Sequence, residues 1–157
     1  MKILFVCTAN ICRSPLAEVI LKKKLQEHGI EGVKVTSAGI LDLEGEPRDC
    51  VMSSIANLAG YEMGGEATHL TPAMTNDIDL IICMEQHHVL ELQKRFVSYA
   101  RWNVIHLFNE ICFDENTNVP DPSGGTYDSY TYIFQHIRDG CIQFCRQSLP
   151  KFLVSRG

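Results

Sequence analysis

Apolar positions along this chain follow two periods, short strand-length runs and longer stretches of helical spacing, and the two alternate from end to end. The opening run Ile3-Leu4-Phe5-Val6 is continuously apolar, the pattern of a strand covered on both faces. Leu16, Ala17, Val19, Ile20, Leu21 and Leu25 then recur at helical spacing and predict a helix that stops near His28-Gly29, where glycine offers a C-terminal end. Residues 33–37 alternate and predict a second strand, followed by a loop over 40–47 and a helix over 48–59 that ends at Gly60. Residues 63–76, interrupted by Gly64-Gly65 and Thr71-Pro72, read as irregular or as one short helix. A second continuous apolar run, 79–84, predicts a third buried strand, with Asp77 and Asp79 capping or solvating its start. An amphipathic helix over 86–96, a fourth strand over 103–107, a polar loop over 109–120 and a long helix over about 127–149 complete the pattern. Ile133, Ile137, Cys141 and Cys145 share the core face of that last helix.

Strands alternating with helices imply a parallel sheet covered on both sides. With right-handed crossovers, the expected architecture is a single doubly wound α/β domain over residues 1–157. Its central four-stranded parallel sheet has the order 2-1-3-4 and is flanked by helices. Ligands in such sheets bind at the carboxyl ends of the strands where the winding reverses. That point is the loop after the first strand.

The loop reads Cys7-Thr8-Ala9-Asn10-Ile11-Cys12-Arg13-Ser14-Pro15. Ser14-Pro15 suggests an N-cap followed by proline at the first helical position, so the loop joins a strand end to a helix start. Successive loop N–H groups can turn inward as an anion-binding nest, and the helix N-terminus adds partial positive charge. Asn10 tolerates the left-handed backbone that a tight nest requires. Arg13 can clamp two oxygens with its planar fork. Cys7 sits in the same positive field, which favours its thiolate. A thiolate facing phosphorus with donors around it is a nucleophile for phosphoryl transfer.

This segment resembles the active-site loop of the low-molecular-weight protein tyrosine phosphatases, which carry Val-Cys-x-Gly-Asn-x-Cys-Arg-Ser-Pro near the N-terminus. Ala9 stands where that family usually has glycine. The resemblance continues through Ser37-Ala38-Gly39, Ile82-Cys83-Met84-Glu85 and Asp121-Pro122. It implies hydrolysis of a phosphorylated protein, with phosphotyrosine the expected substrate and small aryl phosphates accepted, through a cysteinyl-phosphate and without metal or cofactor. Cys7 would attack, and Arg13 with the loop residues Thr8, Ala9, Asn10, Ile11, Cys12 and Ser14 would hold phosphate or similar oxyanions. Ser14 would hydrogen-bond the thiolate, and Asp121, between Pro120 and Pro122, would be the general acid, with Asp42 or Glu44 the nearest alternatives. Cys12 would trap an oxidised Cys7 as a disulfide. Two aromatic walls of the family's cleft are replaced, by Leu43 and by Ser123; Tyr127 could swing in, though no feature of the sequence places it there.

The remaining composition narrows the class. A formal charge of −5 argues against nucleic acid, and no apolar run approaches the roughly 20 residues of a membrane span. Seven cysteines without the spacing of a disulfide framework fit a reducing cytoplasm. Cys83 with His87 and His88 lacks a second ligand pair at zinc spacing, and the two histidines are expected on a solvent-facing helix surface. Three readings compete with a tyrosine phosphatase. A protein-arginine phosphatase would share the loop, but its relatives tend to carry threonine where this chain has Ile11. A thiol-dependent arsenate reductase would need two further relay cysteines after the third strand, of which Cys83 could be only one. A catalytically silent phosphate-binding module is the third.

Overall fold

The computed structural model describes residues 1–156. Its four strands, β1 (Lys2–Cys7), β2 (Lys34–Gly39), β3 (Leu80–Cys83) and β4 (Ile105–Leu107), form one parallel sheet in the order β2-β1-β3-β4. The expected order and class are both present. Side chains of β1 alternate across the sheet, as the period of a strand requires. Ile3, Phe5 and Cys7 join a core with helices α1 (Arg13–Glu27) and α6 (Tyr127–Gln143), whereas Leu4 and Val6 join a second core with Ile81, Cys83 and Leu92. A strand with both faces dry has no polar face to show, which is why its sequence reads as an unbroken apolar run. Among the described residues, no helix is long and apolar enough to cross a membrane.

Several boundaries differ from the expectation, each for a local reason. Helix α2 (Cys50–Leu58) starts later than residue 48 because Asp49 caps it, accepting the Met52 N–H at 2.9 Å. The short helix α3 (Pro72–Thr75) occupies the segment expected to be irregular or briefly helical. The helix expected over 86–96 is α4 (Gln86–Glu91) followed by a wider π-helical turn over Leu92–Phe96. Strand β4 is shorter than expected because Tyr99–Val104 winds as a 3₁₀ helix. The loop expected over 109–120 begins as helix α5 (Phe108–Phe113), which buries Phe108 and Cys112 one turn apart and ends on left-handed Asp114. The last helix continues from α6 through a π-helical turn over Phe144–Ser148 into α7 (Leu149–Val154). Pro150 cannot donate to the Arg146 carbonyl, which accounts for the loosened winding there. Ile133, Ile137, Cys141 and Cys145 are all buried, as expected.

The end of β2 is pressed against the loop that follows β1. A Cβ on Gly39 would lie 2.6 Å from the Ala9 carbonyl carbon and 2.7 Å from the Asn10 nitrogen. Both are backbone atoms that cannot step aside, so only glycine permits this approach.

Candidate active site

The chain reverses after β1 through Asn10, whose φ of 57° places it in the left-handed region. Every polar atom of this fully buried residue is engaged. Its N–H donates to Cys7 Sγ at 3.3 Å, and its Nδ2 donates to the hydroxyls of Ser14 and Ser37, each at 2.9 Å. Its Oδ1 accepts from the Thr68 N–H at 2.8 Å and from Arg48 at 2.9 Å. Ala9 has no positive φ, so its methyl group carries no backbone penalty in the turn.

Ser14 is not the helix cap that its position before Pro15 suggests. Helix α1 begins at Arg13, Cys12 occupies the cap position without a side-chain bond, and the Ser14 hydroxyl lies 3.0 Å from Cys7 Sγ. That hydroxyl oxygen already accepts from Asn10, and its one proton has two acceptors, the Cys7 sulfur at 3.0 Å and the more distant Ala38 carbonyl at 3.5 Å, of which the sulfur is favoured when it is a thiolate. Cys7 Sγ therefore receives one backbone N–H and one hydroxyl from beneath.

Arg13 is anchored by the segments that follow β3 and precede Asp121. Its side chain is 2% exposed, and Nη1 donates to Glu85 at 2.8 Å and to the Val119 carbonyl at 2.8 Å. Burial opposes the charge of Glu85, but the hydrogen bond and attraction from Arg13 outweigh it and hold the carboxyl below its ordinary value. With Nη1 committed, Nη2 faces Thr8 Oγ1 at 3.4 Å and Asp121 Oδ2 at 3.8 Å.

Thr8 is oriented by a residue expected at the surface. His88 is buried completely, and only His87 is exposed. The Glu85 N–H donates to His88 Nδ1 at 3.0 Å, so Nδ1 is the acceptor and Nε2 carries the hydrogen that reaches Thr8 Oγ1 at 2.8 Å. Thr8 thus accepts from His88, and its own hydroxyl proton is free for a ligand. Burial, then the charges of His87 and Arg13, push His88 down from 6.5 to about 3, against the opposing pull of Glu85 and Asp121. The unfolded chain binds this proton more readily, so the contribution is complete above pH 6.5 and is lost as pH falls towards 3. Stability against urea should therefore fall on acidification by up to ~1.4 kcal/mol per pH unit from this group. His88→Gln should flatten that slope; an unchanged slope would assign the acid sensitivity to other groups.

Asp121 reaches the site on a loop pinned along its length. Asn109 Nδ2 donates to Thr117 Oγ1 at 3.0 Å and to the Asn118 carbonyl at 3.1 Å, while the Val119 N–H donates to the Met84 carbonyl at 2.8 Å. Asp121 Oδ1 then accepts from the Ser123 N–H at 3.0 Å. Cys7, Thr8, Ala9, Ile11, Cys12, Arg13, Asp121 and Ser123 line one small depression. Asn10 and Ser14, the other two residues expected to bind phosphate, lie buried beneath its floor. Of the alternative acids, Glu44 is engaged by the His69 N–H at 2.6 Å, and Asp42 lies 3.8 Å from His69. The arrangement can seat a tetrahedral oxyanion against a sulfur nucleophile, with a carboxyl group at the open side.

The residues match a known family over almost their whole length. The pattern of the family described as Low molecular weight phosphotyrosine protein phosphatase matches residues 2–153. The chain belongs to this family. Low molecular weight protein-tyrosine-phosphatase Etp of Escherichia coli (strain K12) is 32% identical over 140 residues, covering 84% of each chain. A protein tyrosine phosphatase structure from Entamoeba histolytica, with Hepes in its active site, superposes with a TM-score of 0.87 at 29% identity, covering 94% of this chain and 96% of that one. The arginine phosphatase YwlE, of Bacillus subtilis, shares the fold with a TM-score of 0.88 at 24% identity, covering 94% of this chain and 95% of that one.

Within this family site, Glu85, His88, Ser37 and Arg48 went unrecognised in the sequence reading. Their partners lie far along the chain: Arg13 and Glu85 are 72 residues apart, Thr8 and His88 are 80. Ser37 and Glu85 do lie in segments that match the family, and for His88 the signal is the bare His87-His88 pair, which does not say which ring turns inward. Glu85, His87 and His88 bring ligand atoms within 4.8 Å of one another, but Glu85 is held by Arg13 and both nitrogens of His88 are engaged. Cys83 is fully buried in the core on the sheet face opposite Cys7, away from any relay with it.

Proposed function

We propose that this chain is a protein tyrosine phosphatase that hydrolyses phosphotyrosine, and small aryl phosphates, through a cysteinyl-phosphate. One observation supports the reading above the others: two segments distant in sequence, the Cys7–Arg13 loop and the loop of Asp121, border a single depression. The Cys7 thiolate attacks phosphorus as the bond to the phenolic oxygen breaks. Arg13, Thr8 and the loop N–H groups hold the equatorial oxygens, and Asp121 gives its proton to the leaving oxygen. Water then attacks the phosphorus, Asp121 takes a proton from it, and the P–S bond breaks to release phosphate and the thiolate. The phosphatase domain spans 1–157 in this reading, and its partner is a phosphorylated protein.

Leu41 and Leu43 are both exposed, and the Leu41 N–H is tied to the Thr8 carbonyl at 2.8 Å, which supports this loop as the apolar surface for an aromatic ring just outside the depression. Tyr127 is exposed and does not line the depression. Ile11 on the rim also favours a ring over a guanidinium, because it offers no hydrogen-bonding group. Steady-state rates on phosphotyrosine, phosphoarginine and phosphoserine peptides decide the substrate. Phosphotyrosine should lead in kcat/KM; a lead for phosphoarginine would move the assignment to an arginine phosphatase.

Cys12 shares the depression with Cys7 and is itself buried. Burial, and then the charges of Asp49, Cys7 and Asp121, raise its thiol above the ordinary value, against the pull of Arg13. It serves as a protonated reserve: peroxide converts Cys7 to a sulfenic acid, and Cys12 displaces water from it to form a disulfide that thiols reopen. Cys12→Ser should recover far less activity than the parent after peroxide and thiol treatment. A peptide map without a Cys7–Cys12 bridge in the oxidised protein would remove this role. All seven cysteines are free, which supports a reducing cytoplasm as the working compartment.

A further inference from the structure

Arg48 follows the loop that faces the site, and its guanidinium reaches back beneath Asn10. Nη1 donates to both the Asn10 carbonyl and, at 2.9 Å, Asn10 Oδ1, while Nε donates to the Gly64 carbonyl at 3.1 Å and fixes the plane of the fork. The side chain is half-buried, yet no carboxylate among the described residues pairs with it. It lines a cavity of about 670 Å³ behind the loop, together with Glu18 and Ser37, and takes no part in lining the depression that holds Cys7. A half-buried charge spent on two oxygens of one loop residue is costly to keep for packing alone.

Two consequences follow from this geometry. A trans peptide points its carbonyl and its following N–H in opposite directions. Holding the Asn10 carbonyl towards Arg48 therefore turns the Ile11 N–H to the other side of the loop, where Ile11 lines the depression. The clamp also supports the left-handed backbone of Asn10, which carries a side chain in a region that suits glycine. The second consequence is electrostatic. Burial lowers the guanidinium from its ordinary value, while Glu18 and the Cys7 sulfur act the other way, so Arg48 and a Cys7 thiolate attract each other across the loop. Arginine stays charged throughout.

We propose that Arg48 is a positioning residue of the phosphate loop: it clamps the Asn10 peptide from behind so that the Ile11 N–H faces the bound phosphoryl oxygens, and it lends positive charge to the Cys7 thiolate. The proposal rests on the phosphate-ester reading of the site given above. Cys7 is otherwise faced by Arg13 from α1 and by Asp121 from its loop, with Glu85 tied to Arg13 and neutral His88 behind Thr8. Arg48 is faced by Glu18 from α1, and Lys2, Lys34, Glu66 and Asp77 share its cavity wall, all unchanged in the variants below.

The test compares Arg48→Met and Arg48→Lys with the parent by two readouts that need no turnover: alkylation of Cys7 by iodoacetamide, located by peptide mass, and calorimetric binding of inorganic phosphate. In Arg48→Met, alkylation should be about three- to tenfold slower than in the parent at the same pH, because only the thiolate reacts and it has lost a facing positive charge. Its phosphate Kd should rise about tenfold, the loss of one oriented charge-assisted donor. Arg48→Lys should recover the alkylation rate through its charge. It should not recover the phosphate affinity, since an ammonium cannot span the Asn10 oxygens and the Gly64 carbonyl together. Alkylation and phosphate Kd both within about twofold of the parent in Arg48→Met would overturn the proposal, whatever the melting temperature does. Should that variant not fold, unchanged phosphate affinity in Arg48→Lys overturns it instead. A parent that binds phosphate but turns over no phosphate ester would undo the enzymatic reading and leave the alkylation contrast standing.

Discussion

Cys7→Ser should lower turnover of phosphotyrosine by at least ~10⁴-fold while leaving phosphate binding nearly intact, the largest effect expected from any single substitution here. Of the thiols and hydroxyls that line the depression, the Cys7 sulfur is the one surrounded by donors suited to a thiolate: the Asn10 N–H lies 3.3 Å away and the Ser14 hydroxyl 3.0 Å away. A serine oxygen would inherit both partners but would remain a neutral hydroxyl, with no base within the floor to take its proton. Cys12, in the same depression, cannot substitute, because burial and neighbouring negative charge keep it a thiol. The anion-holding groups survive the change, since Arg13 is fixed by Glu85 and Val119 and Thr8 by His88. Measured kcat on an aryl phosphate together with the phosphate Kd separates the two roles. Substantial turnover by Cys7→Ser would mean that another group attacks. Loss of phosphate affinity along with turnover would mean that the substitution had collapsed the loop.

The sequence made the loop legible because its chemistry is local. Cys7, Asn10 and Arg13 lie within one strand–turn–helix unit, so hydrophobic period, left-handed tolerance and charge all speak to the same short stretch. The sheet order was legible for a related reason: two fully apolar runs can only be interior strands, and β1 and β3 are indeed the two inside the sheet. Ser14 shows the limit. A serine before a proline at a helix start reads locally as a cap; the resemblance instead points its hydroxyl at the thiolate, and the fold agrees, with the hydroxyl 3.0 Å from Cys7 Sγ across the turn. Helix α5 was hidden for a different reason, since Asn109, Glu110, Asp114 and Glu115 make the segment look polar while two side chains one turn apart, Phe108 and Cys112, do the packing. The roles of Glu85, His88 and Arg48 had no local signature: the first lay in a family-matching segment and the second in a histidine pair, but neither pattern says what the side chain holds. Each is defined by what it touches on another element, and a charged or imidazole side chain in isolation reads as surface.

Asp121→Asn should slow phosphotyrosine and alkyl phosphates by about 10²–10⁴-fold, the usual range for loss of a general acid. The position supports the assignment: Asp121 is half-exposed at the open side of the depression, with Oδ2 3.8 Å from Arg13 Nη2, beside the group that would hold the phosphoryl oxygens. The loop that carries it is rigid, because Asn109 grips Thr117 and Asn118 and buried Val119 is bonded to both Met84 and Arg13. The test lies in the dependence on the leaving group. A phenol with a low pKa departs as its anion and needs no proton, so its ester should lose little at the phosphorylation step. A tyrosine or alkyl oxygen departs only when protonated, so its ester should lose the full factor. Asparagine keeps the size of the side chain and its acceptor for the Ser123 N–H but carries no transferable proton. Burst kinetics across a series of aryl phosphates should therefore give a steeper dependence on leaving-group acidity in Asp121→Asn than in the parent. An equal loss for every ester would assign Asp121 a structural part. The proton would then have to come from the facing loop, where Glu44 is already held by the His69 N–H and Asp42 is the freer carboxylate.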